Sequence, residues 1–429
     1  MPSPARTLAF LILREVEGGG VTLAEALARP AADALEPRER AFLHELVLGT
    51  LRHRGALDYA LAPLLDRPLA NVHPPLLVAL RMGAHQILNL RVPDRAAVDE
   101  SVELAKSAKP FGTGFVNAVL RRLVREGARA APDPTKDPAG FLTSTGSLPR
   151  WLADRWLAAL GPAGAVARAQ ALLALPKASF RYNPRAADAP ARAESAGIAP
   201  LPGLVPGSFY ATAGRPIDLA EAGLLYLQDE GSQLVARLAA GPGARLDACA
   251  APGGKALLMA DLAGDGGIVV AGEASARRLG SMKALASRWG SDNLRLLAAD
   301  ALHPPFPRVF AAVLLDAPCS GLGTLGRHPD IRWRARAKDL PRHGERQRAL
   351  LDRQAPLLQP GGRLVYSVCS AEPEETVDVV GPFLEAHAEF RLEPLPDWAT
   401  PFADGGFART IPERHGGDAF FAAALRRGD

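Results

Sequence analysis

Cysteine is nearly absent: the 429-residue chain carries three, Cys249, Cys319 and Cys369. An odd, widely spaced set in so long a chain excludes a disulfide framework and points to a reducing, cytoplasmic setting. No pair lies at chelating spacing, so a zinc site is disfavoured and no metal is expected. Long apolar runs are missing as well. The apolar start Leu8–Leu13 is cut short by Arg14 and Glu15, so no signal peptide is expected, and no uninterrupted run reaches membrane-spanning length. Nor does one sign of charge dominate. The net charge is +4 and the pI near 9.1, a mild excess that suits an anionic partner without demanding one. The basic residues are mostly Arg, whose planar fork suits bidentate phosphate contacts.

What is present divides the chain. With 48% hydrophobic residues, burial is not limiting, and the length exceeds what one compact core holds. Residues 1–130 read as a helical bundle, with apolar positions at helical spacing in Leu8–Leu13, Arg40–Leu48, Leu76–Leu90 and Phe115–Val124, separated by breaks such as Pro74-Pro75 and Val92-Pro93-Asp94. Residues 131–138, with three prolines and no apolar period, read as a linker. Residues 141–223 are expected to form a small α+β module, helical to about Ala174 around Trp151 and Trp156, then broken by Pro and Gly. From Leu224 to Asp429 strands alternate with helices, which predicts a Rossmann-like α/β domain with parallel strands. The strand candidates are Ala244–Ala248, Ile268–Ala271, Leu294–Leu297, Val309–Leu315, Arg363–Val368 and Ala419–Leu425.

The chemistry sits at the ends of these strands. The first runs into Cys249-Ala250-Ala251-Pro252-Gly253-Gly254-Lys255, a glycine turn ahead of a helix N-terminus, which is a nucleotide-type binding corner. It is not a phosphate loop, because Cys249 and Ala256 stand where that motif needs Gly and Ser or Thr. Acidic residues follow three further strand ends: Glu273, placed to accept ribose hydroxyls, Asp300, placed to face an adenine edge, and Asp316. Carboxylates in shared register beside a glycine corner predict a nucleoside cofactor that carries positive charge, and S-adenosylmethionine fits. Two thiols stand in polar, turn-rich contexts, Asp316-Ala317-Pro318-Cys319-Ser320-Gly321 and Tyr366-Ser367-Val368-Cys369-Ser370. A pyrimidine is methylated at carbon 5 only after a thiolate has added to carbon 6, so a Cys near a carboxylate is the expected tool. Asp316 is placed to protonate or hydrogen-bond the ring nitrogen. Spacing alone leaves Cys319 and Cys369 tied for the attack. Cys249, on a strand exit beside apolar residues, is expected to be a buried, inert thiol. The zinc deaminase pattern fails, because Leu322 stands where its second Cys would be. Between Arg327 and Arg353 lies the densest basic stretch, with Trp333 inside it, and it is expected to offer a nucleic-acid backbone an Arg-rich surface and a base a ring to stack on.

These residues resemble the RNA 5-methylcytosine methyltransferases, and the N-terminal region resembles the NusB-like RNA-binding domain. The pairing resembles the bacterial small-subunit ribosomal RNA methyltransferase B family (RsmB, also called Fmu or Sun) over nearly the whole chain. It is carried by Phe115-Val116-Asn117-Ala118-Val119-Leu120-Arg121, Tyr226–Gln233, Cys249–Lys255, Asp316–Gly321, Arg327-His328-Pro329-Asp330-Ile331-Arg332-Trp333, Tyr366–Ser370 and Gly417–Phe421. Three positions depart from the family pattern: Ala256 where Thr is common, Glu273 where Asp is common, and Gly326 where a basic residue is frequent.

The resemblance implies that Cys369 is the nucleophile and that Cys319 assists release of the product, the reverse of the DNA cytosine-5 enzymes. It implies that residues 249–255, Glu273, Asp300 and Asp316 hold the cofactor. It also implies a monomer that acts on 16S ribosomal RNA, partly unfolded or not yet assembled, with the NusB-like bundle and the middle module gripping the RNA. Two other readings remain open at this point: the same chemistry on transfer RNA or large-subunit RNA, and a non-catalytic RNA-binding assembly factor.

Overall fold

The computed structural model describes residues 2–264, 266–307 and 309–429. They form two compact units: one contains the residues up to Leu175 together with Leu325–Ala337, the other Pro176–Thr324 with Lys338–Asp429. The first unit is helical. Proline opens the helices Pro4–Glu17, Pro37–Arg52 and Pro74–Asn89, because its fixed φ and missing N–H suit a first turn whose N–H groups have no helical partner. Helices Asp94–Ala108 and Thr113–Glu126 complete the bundle. Phe10, Leu13, Leu46, Leu80 and Leu120 are buried in its core. Helix Pro74–Asn89 runs through the middle, and it approaches its neighbour closely at Gly83, where a Cβ would lie 2.5 Å from Leu120 Cδ1.

Residues 138–173 also belong to this unit as helices Pro138–Thr143 and Arg150–Leu173, and the first strand begins only at Ser179. More unexpected is the short segment 325–337, which lies far along the sequence yet folds here. Arg332 is wholly buried. Its guanidinium donates to the carbonyls of Arg52, Gly146, Ser147, Leu172 and Leu325 at 3.0–3.4 Å. Arg52 and Leu172 end helices, where carbonyls lack a partner within the helix and a cation is the natural cap. Burial, and then the charge of Arg52, push the Arg332 pKa down to about 9. The Trp333 indole donates to the Leu51 carbonyl at 2.9 Å, and the Arg54 guanidinium covers its ring at 4.7 Å. This corrects the reading of Arg327–Arg353 as one RNA-facing surface. Arg332 and Trp333 are spent on internal packing, because a fork with five N–H groups can satisfy clustered backbone carbonyls as well as phosphate. Arg342 and Arg346 are exposed on helix Leu340–Gln354 of the other unit, which buries Gln347, Leu350 and Leu351.

The second unit opens with a four-stranded antiparallel sheet, in the order Pro200–Pro202, Phe209–Ala211, Ser179–Tyr182, Leu225–Leu227. A nine-stranded sheet follows. Its parallel part runs Leu294–Ala298, Val269–Glu273, Arg245–Asp247, Phe310–Asp316, Leu358–Val368. Strand order reverses between Arg245–Asp247 and Phe310–Asp316, and ligands of open α/β sheets bind at the carboxyl ends beside such a switch. The final strand, Phe421–Arg427, is antiparallel to Leu358–Val368, so the sheet is mixed and not wholly parallel. Three short antiparallel strands, Phe390–Leu392, Ala403–Asp404 and Phe407–Arg409, were not visible in the sequence, being too brief to show alternation. The central strands alternate: Leu314 and Val365 pack with Leu234 and Met259 on one face, Val313, Leu315 and Leu364 with Leu351, Val379 and Phe383 on the other.

Replacing Arg332 by Ala is expected to leave its carbonyl partners buried and unpaired, at a cost of about 3 kcal/mol to the first unit. Urea denaturation of the full chain, followed by far-UV circular dichroism, measures the loss; a midpoint equal to that of the parent would show the cage to be unimportant.

Candidate active site

The site grows out of the register of two neighbouring strands. Asp316 ends one and stands opposite Ser367 of the other, and in that pairing Ser367 Oγ donates to Asp316 Oδ1 at 2.7 Å. The second carboxylate oxygen takes the Lys255 ammonium, 2.7 Å away. Lys255 lies in the first turn of helix Gly254–Asp261, which Gly253 precedes with φ of 109°, a left-handed conformation that favours glycine. At Gly254 the missing side chain admits the Tyr226 ring, since a Cβ would lie 2.5 Å from its Cε1. Burial would lower the Lys255 pKa, but the Asp316 carboxylate and the nearby Cys369 sulfur hold it above its ordinary value.

Beyond these strand ends the chain turns twice, and each turn carries a thiol. Cys319 Sγ and Cys369 Sγ are 3.1 Å apart. The Gly323 N–H donates to the Cys369 carbonyl at 2.9 Å, which fastens the first turn to the second. A hydrogen bond to Cys369, then burial, raises the Cys319 thiol well above its usual pKa. Cys249 differs: burial, with the Asp247 and Asp316 charges, pushes it up to about 12, so it remains a thiol at neutral pH.

A cavity of about 300 Å³ collects these groups, and its wall includes Cys249, Ala251, Glu273, Asp300, Asp316, Cys319 and Cys369. The remaining residues expected at the site, Ala250, Pro252, Gly253, Gly254 and Lys255, build the turn or stand behind Asp316. Glu273 is buried, and its contacts with the Ser275 N–H and with Arg278 both fall on Oε1. Oε2 has no partner among the described residues. Asp300 is more open, accepting from the Leu302 N–H at 3.0 Å, and this bond with His303 beside it lowers its pKa.

Several residues of the site were not singled out from sequence. Arg346 lines the cavity. Asp247 is 1% exposed, and neither of its oxygens makes a well-formed hydrogen bond among the described residues. Burial, then the Asp316 charge, raises its pKa to about 7, against the opposing pull of Lys255 and the Cys249 N–H. The available signal was a carboxylate at the end of strand Arg245–Asp247, ahead of the glycine turn. Glu375 and Gln347, both buried, hold the thiol loops from beneath, and nothing in their spacing announced it.

Comparison with known proteins decides the family. The model described as 16S rRNA methyltransferase RsmB/F matches residues 239–426, and that of the NusB family matches residues 3–125. The ribosomal RNA small subunit methyltransferase B of Thermus thermophilus is 38% identical, over 98% of this chain and 97% of its own length. The chain belongs to the RsmB/F methyltransferase family. Among solved structures, that of PH0851 covers 100% of both chains at 25% identity with a TM-score of 0.80. A methyltransferase homolog from Pyrococcus horikoshii, 27% identical, covers 69% of this chain and 100% of its own with a TM-score of 0.58.

The cofactor of this RsmB/F family member is S-adenosylmethionine, and the residues present fit it. An acid at the second strand end keeps a free oxygen for hydroxyl donors, the Gly253 turn lets backbone approach closely, and neither oxygen of the buried Asp247 makes a well-formed hydrogen bond among the described residues. Glu273, Asp300 and the 249–255 turn are the residues that would hold it. When bound, it supplies an electrophilic methyl group.

Asp247 makes stability depend on pH. Its folded pKa of about 7 lies above the ordinary carboxylate value of about 4, so the folded state binds the extra proton. The stabilisation is complete below pH ~4 and is lost as pH rises to ~7. Thermal unfolding of the ligand-free protein across this range should show a decline that is flattened in Asp247→Asn; parallel profiles would mean that Asp247 ionises normally.

Proposed function

We propose that this RsmB/F protein methylates carbon 5 of an unpaired cytosine in 16S ribosomal RNA through a covalent link between Cys369 and carbon 6. The observation that carries the proposal is the approach of two thiols to 3.1 Å in the wall of the cavity that fits the methyl donor. The bond to Cys369 and burial hold the Cys319 thiol above its usual pKa, which supports Cys369 as the attacking sulfur. The Cys369 sulfur bonds to carbon 6, and the carbon 5–carbon 6 electron pair moves into the ring as an enamine. Asp316, in the cavity wall, is assigned to support the ring nitrogen, with Ser367 and Lys255 holding its carboxyl group in place. After carbon 5 has gained the methyl group, Cys319 gives up its own proton to solvent and as thiolate takes the carbon 5 proton, the carbon 5–carbon 6 double bond re-forms, and the Cys369 sulfur leaves as thiolate.

The cytosine has to leave any base stack to reach two thiols inside a cavity, which suits RNA that is single-stranded or not yet assembled. The NusB-like bundle and the small antiparallel module are assigned to RNA shape and phosphate contacts. A ribosomal RNA target and three free cysteines fit the cytoplasm. Among the described residues no helix is long and apolar enough to cross a membrane.

Cys319→Ala is expected to accumulate protein–RNA adduct that survives denaturing gel electrophoresis, and Cys369→Ala to form none. Exchanged outcomes would reverse the two roles. Bisulfite sequencing after methylation of separated 16S, large-subunit and transfer RNA pools is expected to show protected cytosine in the first pool, and protection confined to another would move the substrate there.

A further inference from the structure

Cys319 is gripped on both sides. Its neighbour Pro318 gives its carbonyl to Gln347 Nε2 at 3.1 Å. Its other neighbour, Ser320, donates its N–H to Glu375 Oε1 at 2.7 Å and its hydroxyl to Glu375 Oε2 at 2.5 Å. The Ser320 hydroxyl also accepts from the Leu322 N–H at 3.3 Å, which directs its hydrogen to the carboxylate. Gln347 donates to Glu375 Oε1 as well, at 3.1 Å, and the Tyr366 hydroxyl donates to the Glu375 carbonyl at 2.6 Å. Glu375 is 0% exposed, follows Cys369 in the chain by six residues, and ends the short helical turn Pro373–Glu375. Each of these partners of its carboxylate is a donor. One side chain anchored just after Cys369 therefore holds the residue just after Cys319.

We propose that Glu375 is the positioning residue that sets the distance between the two thiols, through Ser320. It does not touch the reacting atoms. Its carboxylate receives both Ser320 donors, and with Gln347 it fixes the Pro318–Ser320 turn against the segment that follows Cys369. In Glu375→Ala the two Ser320 donors lose their buried acceptor, so the turn relaxes and the sulfurs separate. In Glu375→Gln the amide oxygen still accepts the Ser320 N–H, while the Ser320 hydroxyl turns to accept from the amide nitrogen. Its consequence for the reaction rests on the functional reading above, in which Cys319 frees the product.

The thiol distance can be read without RNA. Diamide takes two hydrogens from a pair of adjacent thiols, is reduced to the hydrazine, and leaves a sulfur–sulfur bond. In the full-length protein, the rate of Cys319–Cys369 disulfide formation, assigned by peptide mass mapping, is expected to fall at least about tenfold in Glu375→Ala and only slightly in Glu375→Gln. Ser320→Ala, which removes one donor, is expected to fall between them, and it serves as the test together with Glu375→Gln if the Ala variant does not fold. A folded Glu375→Ala protein that closes the disulfide at the parental rate, or a Gln variant as slow as Ala, would overturn the proposal. With RNA, Glu375→Ala is expected to accumulate adduct as Cys319→Ala does. Slower disulfide closure without adduct accumulation would uphold the positioning role and overturn the release role of Cys319.

Discussion

Parallel pairing of Phe310–Asp316 with Leu358–Val368 is the constraint from which the site follows. The pairing fixes Asp316 opposite Ser367 and delivers two turns, fifty residues apart in sequence, to one place. A slip of one residue in this register would carry the side chains of one strand to the opposite face and break the Ser367–Asp316–Lys255 chain. The register is held by what lies on both faces of the strands. Leu314 and Val365 pack to one side, Val313, Leu315 and Leu364 to the other, so neither strand has a solvent face on which to slide.

The electrostatics of the cavity turn on how unevenly its acids are paired. Asp247, Glu273 and Asp316 crowd one strand-end region, and Lys255 is the buried ammonium among them. Asp316 claims it directly, and Asp247, left without a good partner, retains its proton at higher pH than a free carboxyl group would. Such an acid-rich corner is costly for the folded protein alone. It is matched to a cofactor with a positive sulfonium and a positive amino group.

Much of this was legible in the chain, and the limits are instructive. The 249–255 turn showed itself through glycines placed where backbone must turn sharply, and Glu273, Asp300 and Asp316 through their shared position after strands. Both thiols stood out because cysteine is so scarce. Arg332 and Trp333 misled, because composition reports that a residue is basic or aromatic but not whether the chain turns it inward toward helix-end carbonyls or outward toward phosphate. Asp247 and Glu375 escaped for a related reason. Their roles depend on burial and on partners distant in sequence, which periodicity does not record. The antiparallel direction of the last strand was equally hidden, since a strand buried on both faces reads the same in either direction.

The path of segment 325–337 bears on how this molecule can be divided. The chain passes from the helical unit to the sheet unit after Leu175, returns at Leu325, and crosses again after Ala337. A single backbone nick at the first boundary therefore releases nothing: two covalent tethers remain. The seam between the family modules in the gene is not a seam in the folded chain, and a sheet unit expressed from Pro176 onward would carry an arginine that had left behind the carbonyl acceptors of Arg52, Gly146, Ser147 and Leu172.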